Sequence, residues 1–250
     1  RLDILLMQNV NIAFVTNIFN FWLFSRIFQR KFNMFQVARS CTHFRVTQIC
    51  PYFLQAAIQK RHLWRWVDAV ANRPDMSRIQ EVGADRACAE WLLRCGAFVK
   101  WEGTEYWFKD YNALPAMQKG KGQLRIAEVD CDEAGIMDIG FVHFANVKHL
   151  KKIRFNHCPY LEDSALKGLE RLKDSLEHLI ITSCGDVTDR GLLSLTSLSI
   201  LKTLHLRDLP EVQQKQKCYD HLKKALPACD INYEDLHKHD NEGTEKGGGG

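Results

Sequence analysis

Leu179 to Leu195 reads LIITSCGDVTDRGLLSL. It holds Ser183, Cys184, Asp186 and Asp189, residue types that catalytic and metal sites use, but its spacing is not unique in the chain. Leu150, Ile153, Phe155, Cys158, Leu161, Asp163, Leu166, Leu169 and Leu172 recur 26 residues later as Leu176, Leu179, Ile181, Cys184, Val187, Asp189, Leu192, Leu195 and Leu198. A third copy follows 25 residues on as Leu201, Leu204, Leu206, Leu209 and Val212. A degenerate first copy runs Leu124, Ala127, Val129, Asp132, Ile136, Phe141 and Phe144. Chemistry occurs once in a small protein, whereas architecture recurs at a fixed period.

A period of roughly 20 to 29 residues with L-x-L alternation is that of a leucine-rich repeat. The expected fold class is α/β, a leucine-rich-repeat solenoid of about four repeats preceded by a small α+β N-terminal domain. Alternate strand residues turn inward and those between them face solvent. The Cys position turns the chain off the strand and can give its weak S–H to nearby backbone. Asp163 and Asp189 then read as caps that start helices, and Cys218 to Leu226 closes the stack.

The composition, 46% hydrophobic and 26% charged over 250 residues, is that of a folded protein. The net charge of +4 is uneven: residues 1–67 carry nine Lys or Arg against the single Asp3, a net of +8, which leaves the remainder at −4. The folded part is mildly acidic, so the charge gives no nucleic-acid footprint. Nine scattered cysteines with no C-x-x-C pair argue against a disulfide framework and a zinc ribbon, and for a reducing compartment. Cys88 and Cys95 share one face of an expected helix, as buried small hydrophobes rather than a dithiol.

The sequence divides into four expected regions. Residues 1–58 form a leader that opens on Arg1. Its charge-free stretch from Ile4 to Ser25 reads either as a signal anchor or as non-native upstream sequence, with Asn and Gln interrupting the ~20 apolar residues a span needs. The basic, acid-free stretch from Met34 to Trp66 fits a mitochondrial transit peptide, because carboxylates would oppose import. Residues 59–122 form a helical and hairpin domain: a helix over HLWRWVDAVAN, a second from about Asp85 to Cys95 meeting a left-handed cap at Gly96, and a hairpin about Glu102-Gly103. Residues 123–233 hold the repeats. Residues 234–250 form a polar tail in which His237 and His239 read as solvated rather than metal-binding.

No catalytic constellation is legible: Ser183, Cys184 and Asp189 lack a paired His within their repeat, so the expectation is a protein that is not an enzyme. The dense acidic cluster Asp130, Asp132 and Glu133 follows the first strand, where hard cations find oxygen ligands, although a solvated turn explains it as well. The exposed strand positions Glu128, Asp130, Arg154, Asn156, Ile180, Thr182, His205 and Arg207 are expected to line a concave face that grades from acidic to basic and binds protein.

WRWVDAVANRPDMSRIQEVGADRACAEWLLRCGAFVKWEG, YWFKDYNALP, ITSCGDVTDRGL and LRDLPEV resemble the mitochondrial ATP synthase subunit s family, also called coupling factor B, in order over about residues 60–230. The resemblance implies a non-enzymatic protein, peripheral to the inner membrane on its matrix side. It would contact membrane-sector subunits of the ATP synthase, support the coupling of proton transport to ATP synthesis, and self-associate weakly if at all. It also implies a bound magnesium, whose ligands would match the Gly96 carbonyl and Asp132, where the family has Thr. Cys95 matches a family cysteine, which implies a redox-sensitive thiol. A sister family, the assembly component of the respiratory complex I distal membrane arm, shares the repeat domain. A leucine-rich-repeat substrate adaptor of the ubiquitin system would need an F-box-like helical segment, where residues 60–115 carry a Trp-rich hairpin.

Overall fold

The structure, a computed structural model, describes residues 65–114 and 124–236. The expected leader, the Lys119–Gly122 linker and residues 237–250 of the expected tail lie outside the described residues; the tail's first three residues, 234–236, are helical instead, and Asp235 pairs with Lys215 (2.7 Å). Six strands lie in chain order in one sheet: β1 (Phe98–Trp101), β2 (Ile126–Asp132), β3 (Lys152–Asn156), β4 (His178–Thr182), β5 (Thr203–Arg207) and β6 (Asp230–Tyr233). β1 is antiparallel to β2 and each later pair is parallel, which makes a mixed α/β sheet. The helices are α1 (Met76–Val82), α2 (Ala84–Arg94), α3 (Asp163–Gly168), α4 (Asp189–Ser194) and α5 (Lys215–Ala225), with helical residues 65–72 ahead of them. Parallel neighbours need a crossover, and α3, α4, α5 and a 3-10 segment at Asp138–Phe144 supply it.

Val129, Ile153, Leu179, Leu204 and Ile231 pair in one row across β2 to β6, and Cys131, Phe155, Ile181, Leu206 and Tyr233 in the next. All are buried. The first copy is therefore two residues out of the register that the sequence spacing suggests: Val129 and Cys131, rather than Ala127 and Val129, pair with Ile153 and Phe155. Ile126 is buried in front of them, whereas Leu124 is 38% exposed. The first step is shorter than the others, and Cys131 is too small to announce itself as a Phe155 equivalent. β6 is an addition to the expected repeats, since DINY is short and half polar. Of the expected hairpin only the first arm is a strand. The second contributes one bridge, from Phe108 to Val99, on the edge of β1 away from β2. The segment before residue 114 and the repeats thus share one sheet and one core.

Immediately after the last paired residue of β2, β3, β4 and β5, Glu133, His157, Ser183 and Asp208 adopt left-handed φ values of 54°, 50°, 52° and 52°. A left-handed non-glycine residue costs roughly 1–2 kcal/mol. The turn still forms because it continues the ladder: the N–H groups of Glu133, His157 and Ser183 donate to the carbonyls of Asn156 (2.8 Å), Thr182 (3.1 Å) and Arg207 (3.0 Å). Cys158 Sγ then donates to the Cys131 carbonyl (3.1 Å) and Cys184 Sγ to that of Thr182 (3.3 Å), the backbone role expected of the Cys position.

The aspartates do not cap their own helices. Asp163 accepts from the N–H (2.8 Å) and hydroxyl (2.6 Å) of Thr188 in the next unit, and Asp189 accepts from the Gln214 N–H (2.9 Å) and Cys218 Sγ (3.2 Å). The cap of α4 is Thr188, whose side chain accepts from Arg190 N–H. Each aspartate therefore ties its unit to its successor. Gly191 makes room for this, since a Cβ there would stand 2.3 Å from Asp163 Oδ1.

At the N-terminal end Asn72, 0% exposed, joins three segments. Its amide donates to the Asp68 (2.8 Å) and Gly135 (2.7 Å) carbonyls, and its oxygen accepts from Trp91 Nε1 (3.1 Å) and Met137 N–H (2.8 Å). Trp91 stacks on His143, with centroids 5.1 Å apart, and meets Phe144 edge-on. α1 was not expected from the sequence; after Pro74, Asp75 caps it by accepting from Arg78 N–H (2.9 Å).

Candidate functional site

Parallel sheets are ordinarily covered on both faces. Here the helices cover the face that carries Val129 to Ile231, and the opposite face is polar and partly exposed, so it is the candidate site. The register sets three rows across it. The first is Glu128, Lys152, His178, Thr203 and Asp230. The second is Asp130, Arg154, Ile180, His205 and Asn232. The third is Asp132, Asn156, Thr182 and Arg207, and the side chain of Glu234, in the helical turn after β6, reaches it at Arg207. All eight residues expected on a concave face lie here together. The sequence reading missed Lys152, His178 and Thr203, although each sits two positions before a residue it chose. It also missed Asp230, Asn232 and Glu234, because β6 was not foreseen.

The expected gradient from acidic to basic is largely cancelled by pairing. Asp130 holds Arg154 through two 2.8 Å hydrogen bonds, which raises the guanidinium pKa. Lys100 and Lys152 approach Glu128 at 3.1 and 3.9 Å. At the basic end Glu234 meets His205 Nε2 (2.9 Å) and Arg207 (3.7 Å). What stands out in the middle row is Ile180, an aliphatic side chain between Arg154 and His205. It borders a depression of about 570 Å³ shared with Thr182, His205 and Arg207, and another of about 440 Å³ shared with Lys152 and His178.

The pairing of β1 with β2 ends at Phe98 and Asp130. Gly96 and Asp132, the residues implied as magnesium ligands, each lie two residues past that last pair, at the corner where it ends. Gly96 has φ 85°, the left-handed cap expected at the end of α2, and its N–H donates to the Leu93 carbonyl (3.1 Å). Asp132 accepts from Asn156 (2.7 Å), and Asp130 is committed to Arg154. Among the described residues no three His, Cys, Asp or Glu are grouped to hold a metal. Magnesium keeps several waters and takes one or two carboxylates; of the two implied ligands, Asp132 would be the carboxylate.

Cys95 is 1% exposed beside that corner. Cys88, Cys131, Cys158, Cys184, Cys218 and Cys229 are buried as well, and burial pushes the Cys88 and Cys131 thiols up. Ser183 hydrogen-bonds Asp208 (2.7 Å) and Asp189 serves Gln214, so the side chains that suggested a site in the opening stretch carry the architecture.

The molecule is thus an α/β protein whose six-stranded mixed sheet has one helix-covered face and one open polar face presented in regular rows. No model of a protein family matches the chain. Over 174 residues, 68% of this chain and 86% of the relative, the sequence is 43% identical to proteins named ATP synthase subunit s, mitochondrial, from Homo sapiens and Pongo abelii. Over the same share it is 42% identical to the protein of that name from Bos taurus. The chain belongs to the mitochondrial ATP synthase subunit s family.

Proposed function

We propose that the chain is a non-enzymatic leucine-rich-repeat solenoid of the mitochondrion that binds the ATP synthase through its open, concave sheet face. In this reading it sits on the matrix side of the inner membrane, contacts a membrane-sector subunit, and supports the coupling of proton transport to ATP synthesis. The observation that carries it is the 43% identity with relatives whose printed name is ATP synthase subunit s, mitochondrial. The face fits the role: an aliphatic centre at Ile180, ringed by paired charges and polar side chains, is how protein interfaces are built.

Replacing Ile180 by Asp puts a charge at that centre without entering the core. Tagged protein purified from mitochondria should then recover ATP synthase membrane-sector subunits at least about tenfold less well, the effect of losing ~1.4 kcal/mol or more, with the unfolding midpoint unchanged. Full recovery by the variant would remove this face from the interface. Recovery of complex I assembly intermediates in place of ATP synthase subunits by the unmodified protein would move the function to the sister family.

We place magnesium at the Gly96 carbonyl and Asp132, where it would tie the end of α2 to the end of β2. Asp132→Ala should abolish magnesium binding in equilibrium dialysis while leaving circular dichroism unchanged. Metal content equal to that of the parent would reject these ligands. Redox sensitivity at Cys95 would require the end of α2 to open, because the thiol is buried.

A further inference from the structure

We propose that the rim formed by the N-terminal ends of the strands docks on an anionic phospholipid surface. The proposal rests on the peripheral membrane location proposed above and names the surface responsible. Among the described residues no helix is long and apolar enough to cross a membrane, so attachment of this part to a bilayer must use its surface. The backbone places the rim in a line: Lys151 N–H donates to the Ala127 carbonyl, Glu177 N–H to that of Lys151, Lys202 N–H to that of Glu177, and Asp230 N–H to that of Lys202.

Two observations mark this edge. Leu124 and Ile200, just ahead of β2 and β5, are 38% and 41% exposed. They stand three strands apart, roughly 15 Å at the spacing of neighbouring strands. Between them lies Lys148-His149-Leu150-Lys151-Lys152, with three lysines and no acid. The carboxylates on the rim are mostly engaged: Glu128 with Lys100 and Lys152, Glu177 with Lys202, and Glu102 with Arg125. Asp174 follows Lys173 in the chain, and the exposed Asp230 lies at the β6 end of the rim, three strands from the lysines ahead of β3. Among the described residues Lys148 and Lys151 form no ion pair, although Lys151 lies near enough to Glu177 to help Lys202 hold its carboxyl below the usual range. Exposed aliphatics flanked by lysines outside ion pairs are what an interfacial site presents: the aliphatics enter the headgroup layer while the ammonium groups meet phosphates. Each such cation adds roughly fivefold to binding at an anionic surface.

The full chain also carries the basic residues 1–67, so the test must read position as well as binding. A photo-crosslinking benzoylphenylalanine is placed at Leu124, at Ile200 or at the exposed Ile139 of the helical layer, and the protein is mixed with phosphatidylcholine vesicles with and without phosphatidylglycerol. Lipid adducts are expected from 124 and 200 only with phosphatidylglycerol, and not from 139. K148E/K151E should lower the adducts from 200 by at least about tenfold, and the milder K148Q/K151Q by less. Both variants should still recover the protein partner in detergent, which separates this proposal from the Ile180 interface. Equal adducts from 139, or adducts indifferent to the lysine changes, would overturn it.

Discussion

Replacing Asn72 by Ala should destabilise the protein by about 3–5 kcal/mol, a large share of the ~5–15 kcal/mol that holds a typical domain folded. The side chain is fully buried and uses all its hydrogen-bonding capacity, two donors to the carbonyls of Asp68 and Gly135 and two acceptances from Trp91 Nε1 and Met137 N–H. Truncation removes little apolar contact, but it leaves the Gly135 carbonyl and the indole N–H unpaired inside the core, and the half-buried Met137 N–H without its partner. Each costs about 1–3 kcal/mol. Water cannot easily replace the amide, since Trp91 is closed in by Phe144 at 5.2 Å, His143 at 5.1 Å and Phe141 at 6.1 Å. Asn72→Leu, which keeps the volume, should be nearly as harmful, because the loss is polar satisfaction and not space. Urea unfolding would show a lower midpoint with the same slope for both variants. A shift worth less than ~1 kcal/mol would mean that the loop 135–137 rearranges to pair its own groups.

The repeats were legible because burial on a sheet face has a period, and nine positions matched in kind between two copies. The expected strand positions of β3, β4 and β5 fall where the pairing puts them. Other features do not follow from single residue types. The left-handed turn after each strand is filled by Glu133, His157, Ser183 and Asp208, which share neither size nor charge, because a backbone requirement met at modest cost leaves no common side chain. Asp163 and Asp189 looked like caps because Asp often caps. Their true partners lie 25 residues on, at Thr188 and Gln214, and sequence distance hides such a bond. Asn72 is one polar residue in a helix whose neighbours are mostly apolar, and its role depends on residues 135–137 arriving beside it.

The open face shows the same division. That alternate residues of β2 to β5 would share a surface follows from the strand period alone. The charge on that surface does not follow from summing its residues, because Asp130 and Arg154 neutralise one another and Glu234, beyond an unforeseen strand, offsets Arg207. A partner therefore meets an almost balanced field with Ile180 at its middle, and specificity must come from shape and from exchange of hydrogen bonds more than from long-range attraction.

Acidification should weaken the fold through His143. The ring is 3% exposed and stacked on Trp91 with only 11° between the planes. The backbone of Arg73 approaches it without meeting hydrogen-bond geometry, so neither ring nitrogen is satisfied. Burial, with the charge of Arg94 as a lesser cause, pushes its pKa from 6.5 down to about 4. The sign follows from proton counts. Between these values the unfolded chain binds a proton at this residue and the folded chain does not. The stability is therefore complete above the unfolded pKa of 6.5 and falls as the pH drops towards about 4, by roughly 1.4 kcal/mol per pH unit and on the order of 3 kcal/mol in all. His143→Phe keeps an aromatic ring against Trp91, removes both unsatisfied nitrogens and cannot titrate. Urea midpoints taken at about pH 7.5 and about pH 5 should therefore differ clearly for the parent and much less for the variant, which should also be the more stable of the two at the lower pH. An equal drop in both proteins would assign the acid sensitivity to other groups and show that His143 takes up its proton without leaving the core.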